Sequence, residues 1–277
     1  MRLPRAARAV AALLAALALA FCAAPEPKPA PKPSPEAAHT GIVLMHGKQG
    51  NPQSPFLAGL ARALTGAGYL VELPEMCWSG RRIYDKPYPA CLAEIDDAVA
   101  RLKARGAVAI VIAGHSLGGS AALGYAARRD GIRAVVALAP APQNNRLAAQ
   151  PDVAASLEKA RNLIAAGRGE IAVDLADYNN GRNGEGPITV HATPFAFASF
   201  VAPEGPGEIA ANLPKVKAAL LIVSGTDDRS QRNMGLLFPL APENPQSALV
   251  FIHANHLATP QASIATVLSW LAALPPP

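Results

Sequence analysis

Ala107-Val108-Ala109-Ile110-Val111-Ile112-Ala113 runs directly into Gly114-His115-Ser116-Leu117-Gly118, and then into Gly119-Ser120-Ala121-Ala122-Leu123-Gly124-Tyr125-Ala126-Ala127. The first stretch is apolar, rich in β-branched residues and of strand length. The last is Ala-rich and reads as a helix. Between them G-x-S-x-G makes a sharp turn that presents a serine. Such a turn holds Ser116 in strained backbone geometry, and bulk at 114 or 118 would strike the adjoining strand and helix. The helix start behind Ser116 offers unpaired N–H groups and the positive end of a dipole. A glycine turn in an ordinary β-α-β unit is the alternative reading of the same five residues.

Working outward, the pattern repeats. Gly41–Gly47, Tyr69–Leu73, Ile132–Ala139, Ala218–Ser224 and Ser247–Ile252 are further apolar runs of strand length, giving six strands with the central one. Pro55–Gly68 carries Phe56, Leu57, Leu60, Ala61 and Leu64 at helical spacing. Pro89–Gly106 turns Leu92, Ile95, Val99 and Leu102 inward and Glu94, Asp97, Arg101 and Arg105 outward. Pro151–Gly167 and Pro260–Leu274 also read as helices, and Asn179–Gly186 as a loop. Continuous apolar strands alternating with helices predict an α/β fold, a mostly parallel sheet covered on both faces. Residues 140–215 form an insertion long enough for a lid or cap. Residues 39–277 are expected to be one catalytic domain.

The 277 residues suffice for one large core. The formal charge is +5, but Arg2, Arg5 and Arg8 lie in the first 22 residues, and the rest carries about +2. With no basic stripe and no interleaved aromatics, nucleic acid is not an expected partner. Residues 1–22 read as a signal peptide: three arginines, then the short apolar run Val10–Phe21. Leu19-Ala20-Phe21-Cys22 resembles a bacterial lipoprotein signal that would lipidate Cys22. Phe21 stands where such signals place a small residue, and cleavage after Ala20 or Ala23 is the competing reading. Residues 23–38, with prolines at every second position from Pro25 to Pro35, read as an extended tether. The expected location is periplasmic or anchored to the outer membrane. There Cys77 and Cys91 are expected to form a disulfide, the alternative being two buried thiols.

A serine at its free pKa needs a base, and the base needs a carboxylate to orient it. Of six histidines, His115 lies inside the turn and is expected to point away from the reacting face. His46 ends a strand, His39 lies at the tether's end and His191 in the insertion. His253 continues the last strand and is read as packed. His256, in the loop before the final helix, is the candidate base. The acid is Asp227 or Asp228, after the strand Ala218–Ser224, where open α/β sheets place their sites. The other aspartate is read as a turn cap.

With these residues the chain resembles the α/β-hydrolase superfamily, and the smaller dienelactone-hydrolase-like members with serine in place of cysteine. The order Ser116, Asp, His256 is the superfamily's. Its Gly-x-x-Asp corresponds to Gly225-Thr226-Asp227-Asp228, which implies Asp228 as the acid. His46-Gly47-Lys48 matches its His-Gly segment and implies that the backbone N–H groups of Lys48 and Leu117 form an oxyanion hole. The Lys48 side chain is read as a solvated amine at the rim. The resemblance begins near Gly41, implying that the first two strands of the superfamily are missing or replaced.

Trp78 and Tyr84, between the cysteines, and Phe195, in the insertion, are candidates for a substrate pocket. No cofactor and no metal is expected, since the histidines lack ligand spacing and no Cys/His cluster exists. The expected activity is cleavage of an ester-like bond in a small-molecule acyl substrate by an exported serine hydrolase, with no protein partner inferred. The alternatives are a peptidase or amidase on the same scaffold, or a binding protein without catalysis.

Overall fold

The computed structural model describes residues 36–141, 144–179 and 186–276. The chain divides into two units, Met1–Lys32 and Pro33–Pro277. The expected signal peptide, Cys22 and nearly all of the tether lie outside the described residues. Description begins at Glu36, and the 3-10 turn Ala37–His39 leads straight into the first strand, with Ala37 buried.

Six strands form one sheet: β1 (Thr40–Met45), β2 (Leu70–Glu72), β3 (Ala109–His115), β4 (Ala134–Leu138), β7 (Ala219–Gly225) and β8 (Ala248–Ile252). Their order is β2-β1-β3-β4-β7-β8, and every pair is parallel. Side chains alternate across this sheet. Val43, Met45, Ile110, Ile112, Val135, Leu220 and Ile222 enter one buried cluster. Ile42, Leu44, Val111, Val136, Leu221 and Val223 enter a second on the opposite face. Helix α1 (Pro55–Gly66) covers the second cluster with Leu57, Leu60 and Leu64. Helices α2 (Tyr88–Ala104) and α3 (Leu117–Ala126) cover the first. The final helical segment is broken at Ser263 into Thr259–Ala262 and Ile264–Ala273, rather than running continuously from Pro260.

Between β4 and β7 the chain builds more than the sequence reading found. Helix α4 (Pro151–Ala165) stands where expected. It is followed by a separate antiparallel pair, β5 (Val173–Asn179) and β6 (Gly186–Ala192), and by α5 (Pro194–Val201). Residues 180–185 of the expected loop lie outside the described residues. Thr193 caps α5 by accepting from the Ala196 N–H. Leu157, Leu175, Val190, Phe197 and Phe200 all belong to the buried cluster on the α2/α3 face of the main sheet. This segment is therefore packed into the domain core. Among the described residues no helix is long and apolar enough to cross a membrane.

Cys77 and Cys91 are bonded, with Cα atoms 5.8 Å apart and both residues fully buried. The bridge ties the loop after β2 to the first turn of α2. It closes 14 residues of chain, a loop size for which a disulfide stabilises by about 3 kcal/mol, chiefly by restricting the unfolded chain. Urea unfolding with and without a reductant should show a loss of that size. The same measurement on Cys77→Ser/Cys91→Ser should show no further loss on reduction.

Candidate active site

The turn after β3 is as tight as its sequence requires. Ser116 sits at φ 55° and ψ −121°, a region rarely occupied by side-chain-bearing residues. Three backbone bonds hold it there: the Ser116 N–H donates to Leu138, and the Ser116 carbonyl accepts from Ser120 and Ala141. A Cβ on Gly114 would lie 2.3 Å from the Gly118 carbonyl, and one on Gly118 would lie 2.6 Å from the Met45 carbonyl. Strand, turn and helix thus approach too closely for any side chain at either position.

The three residues chosen from sequence meet. His256 Nε2 is 2.9 Å from Ser116 Oγ, and His256 Nδ1 is 2.5 Å from Asp228 Oδ2. With the carboxylate accepting, Nδ1 carries the proton, and Nε2 is left free to accept from the serine hydroxyl. Burial alone would raise the Asp228 carboxyl. Hydrogen bonds from His256 and from the Ser230 hydroxyl and N–H outweigh it and hold the group below the ordinary carboxylate range. Asp228 also caps the 3-10 turn Arg229–Gln231, so the cap role read for its neighbour belongs to Asp228 itself. Asp227 instead faces His253 at 3.3 Å. His253 is not packed, as its position after β8 implied, but 89% exposed.

His115 does more than its place in the turn implied. Its Nε2 donates to the carbonyl of His256 at 2.9 Å, so it holds the loop carrying that imidazole. Burial, reinforced by the charge of His256, pushes its pKa down to about 3. His46 is likewise lowered by burial; its Nε2 accepts from the Met76 N–H and its Nδ1 donates to Gly47.

The loop after β1 is anchored by a side chain that sequence reading left in solvent. Lys48 Nζ donates to Asp177 Oδ2 at 2.8 Å and to the Tyr178 carbonyl at 2.6 Å, and is only 14% exposed. Asp177, on β5 and fully buried, also accepts from Tyr84 Oη at 2.8 Å and from the Tyr178 N–H. Alternation of Ile188, Val190 and Ala192 with exposed Pro187, Thr189 and His191 was the available signal for the hairpin. Nothing in the sequence paired Asp177 with Lys48, 129 residues away. Among the described residues, the backbone N–H groups of Lys48 and Leu117 make no hydrogen bond.

The pocket candidates require correction. Trp78 is fully buried and donates Nε1 to the His46 carbonyl. Tyr84 is 2% exposed and stacks on Phe200, ring centroids 4.3 Å apart. Both are core residues, because the disulfide and α5 close over them. Phe195 is exposed, its ring lying over Gly169. The cleft beside His256, of about 530 Å³, is lined instead by Arg146, Tyr178, Asp227, Arg229, Arg232 and Leu257 among others. Among the described residues no three His, Cys, Asp or Glu side chains are grouped to hold a metal.

Two outcomes are expected. Asp177→Ala strands the Lys48 ammonium, mostly buried, and should cost about 3 kcal/mol in urea unfolding, at the lower end for a broken buried pair because the Tyr178 carbonyl remains. For His115 the folded pKa lies below the unfolded one, so the unfolded chain binds the extra proton. Stability is therefore complete above pH 6.5 and is lost as the pH falls from 6.5 toward 3. His115→Gln should flatten that acid limb in denaturant midpoints taken from pH 7 to pH 4.

The alpha/beta hydrolase family model matches residues 42–266. No curated protein matches the chain. Solved structures with a similar fold include one from work on LipS and LipT, two metagenome-derived lipolytic enzymes, at 20% identity and TM-score 0.58, covering 87% of this chain and 99% of that one. Est1E from Butyrivibrio proteoclasticus with ferulic acid bound is 20% identical at TM-score 0.56, over 90% and 94% of the two chains. The monoacylglycerol lipase of Paleococcus ferrophilus is 20% identical at TM-score 0.59, over 88% and 97%. At this identity the likeness is one of fold. Since the family model spans most of its length, including the serine turn and the loop of His256, this chain belongs to the alpha/beta hydrolase family.

Proposed function

We propose that the protein is a serine hydrolase that cleaves carboxylic esters through an acyl-enzyme. The carrying observation is the unbroken line of hydrogen bonds from Ser116 Oγ through the His256 ring to Asp228. Ser116 Oγ attacks the carbonyl carbon as its proton passes to His256 Nε2. Asp228 keeps the imidazole in the right tautomer and stabilises its charged form. The carbonyl oxygen, now an anion, takes the N–H groups of Leu117 and Lys48, worth about 3 kcal/mol each in the transition state. His256 then gives its proton to the leaving alcohol, and the C–O bond breaks. Water repeats the sequence on the acyl-serine, releasing the acid and returning the proton to Ser116.

An ester is favoured over an amide because the fold neighbours include lipolytic enzymes and a monoacylglycerol lipase. We also propose export. The first 22 residues and the buried Cys77–Cys91 bridge support an oxidising compartment, with a membrane tether through Cys22 as the finer version.

A fluorophosphonate probe should label the wild-type protein and not Ser116→Ala; labelling retained in that variant would remove the serine from its role. His256→Ala should lower turnover of 4-nitrophenyl esters by at least about a thousandfold. His253→Ala, which alters an exposed ring, should leave it within about twofold.

A further inference from the structure

The cleft beside His256 has a chemical character of its own. Arg229 opens the 3-10 turn that follows Asp228 and Arg232 closes it as its C-cap, and residues three apart on such a turn are eclipsed. Both guanidinium groups therefore stand on one edge of the cleft. Arg146 comes from the inserted segment on the other side, and its Nη1 donates to the Ser230 carbonyl of the same turn at 3.3 Å. That bond uses one of its five donors. Among the described residues none of the three has a carboxylate partner. Arg62, Arg128, Arg133 and Arg168 also lack a carboxylate partner, but none of them lines this cleft. Two acids also face this cleft, but Asp228 is engaged with His256 and Ser230, and Asp227 with His253. Both carboxylates keep their charge, so three guanidinium groups against two carboxylates leave the cleft lining at a net charge of +1, with most guanidinium donors free.

We propose that this cleft binds an oxyanionic group, a carboxylate or a phosphate, carried by the substrate ester. The inference rests on the hydrolase reading above and narrows it to substrates charged at the end remote from the scissile bond. Guanidinium groups present paired donors that suit either oxyanion. Their exposure makes the attraction sensitive to salt. It acts on ground state and transition state alike, so it enters through KM.

Two esters of equal chain length separate the possibilities: mono-4-nitrophenyl glutarate and 4-nitrophenyl valerate. The wild-type protein should favour the glutarate by about tenfold in kcat/KM, mainly through KM. The preference should shrink in about 0.5 M salt and vanish in Arg146→Gln/Arg229→Gln/Arg232→Gln. Equal turnover of the two esters, or a preference kept by the triple variant, would overturn the proposal while the esterase reading stands. Turnover of neither ester, with no fluorophosphonate labelling of Ser116, would overturn the esterase reading instead. Calorimetry then decides the cleft by itself. Glutarate or inorganic phosphate binding to the wild-type protein and not to the triple variant supports the anion site, and the stronger ligand identifies the group. Binding of neither removes the site.

Discussion

One strained residue organises the molecule. Ser116 is held at positive φ because its N–H and its carbonyl are both committed, to Leu138 on one side and to Ser120 and Ala141 on the other. A residue in this conformation costs of order 1–3 kcal/mol and persists only where its surroundings leave no alternative. Here the surroundings are β3, β4 and α3, all carried by the parallel sheet. The glycines at 114 and 118 let those elements close to carbonyl contact. The outcome is a hydroxyl at the carboxyl end of a central strand, where the loops after β1, β7 and β8 can all reach it.

The partners come from those loops, and each is fixed by a bond made outside the reacting line. His256 is placed by the loop after β8, whose carbonyl His115 clasps from beneath. A neutral imidazole suits that task, since it donates without bringing a second charge against the base. Burial keeps it neutral well into acid. Asp228 is placed by β7 and fastened by Ser230. Every member of this line already has a fixed neighbour, which suits the proposed reaction, since groups that need not reorganise stabilise developing charge best.

The main sheet was legible because buried parallel strands are nearly uniform runs of apolar residues, and six such runs became six strands. The serine turn was legible because its small residues answer a steric demand that few other sequences meet. What sequence reading missed lies between β4 and β7. In the hairpin β5–β6, Ile188, Val190 and Ala192 alternate with Pro187, Thr189 and His191, but on β5 the inward row from Val173 and Leu175 ends on a charge, Asp177, which hides the pattern. The Lys48–Asp177 pair was invisible for a different reason. A buried ion pair is specified by long-range packing, and neither partner differs locally from a surface residue. The aromatics were misplaced for the same cause: Trp78 and Tyr84 lie on a loop, and the closure of α5, the disulfide and the hairpin over that loop buries them.

The disulfide belongs to the same network as the loop after β1, on which the proposed oxyanion donor Lys48 lies. Residues 46–50 have no regular structure of their own, yet they carry the Lys48 N–H. They are held by the loop that contains Cys77. Gln49 donates to the Trp78 carbonyl, Gly80 to the Gly50 carbonyl, Trp78 Nε1 to the His46 carbonyl, and Met76 to the His46 ring. That second loop is joined to α2 through Cys91, and α2 lies against the core face of the sheet. From the other side Lys48 is drawn to Asp177 on the inserted hairpin. A misplacement of about 1 Å at a reacting group can cost roughly a hundredfold in rate. Under the proposed mechanism the bridge between Cys77 and Cys91 bears on turnover as well as on stability, because it steadies the loop that carries the Lys48 N–H.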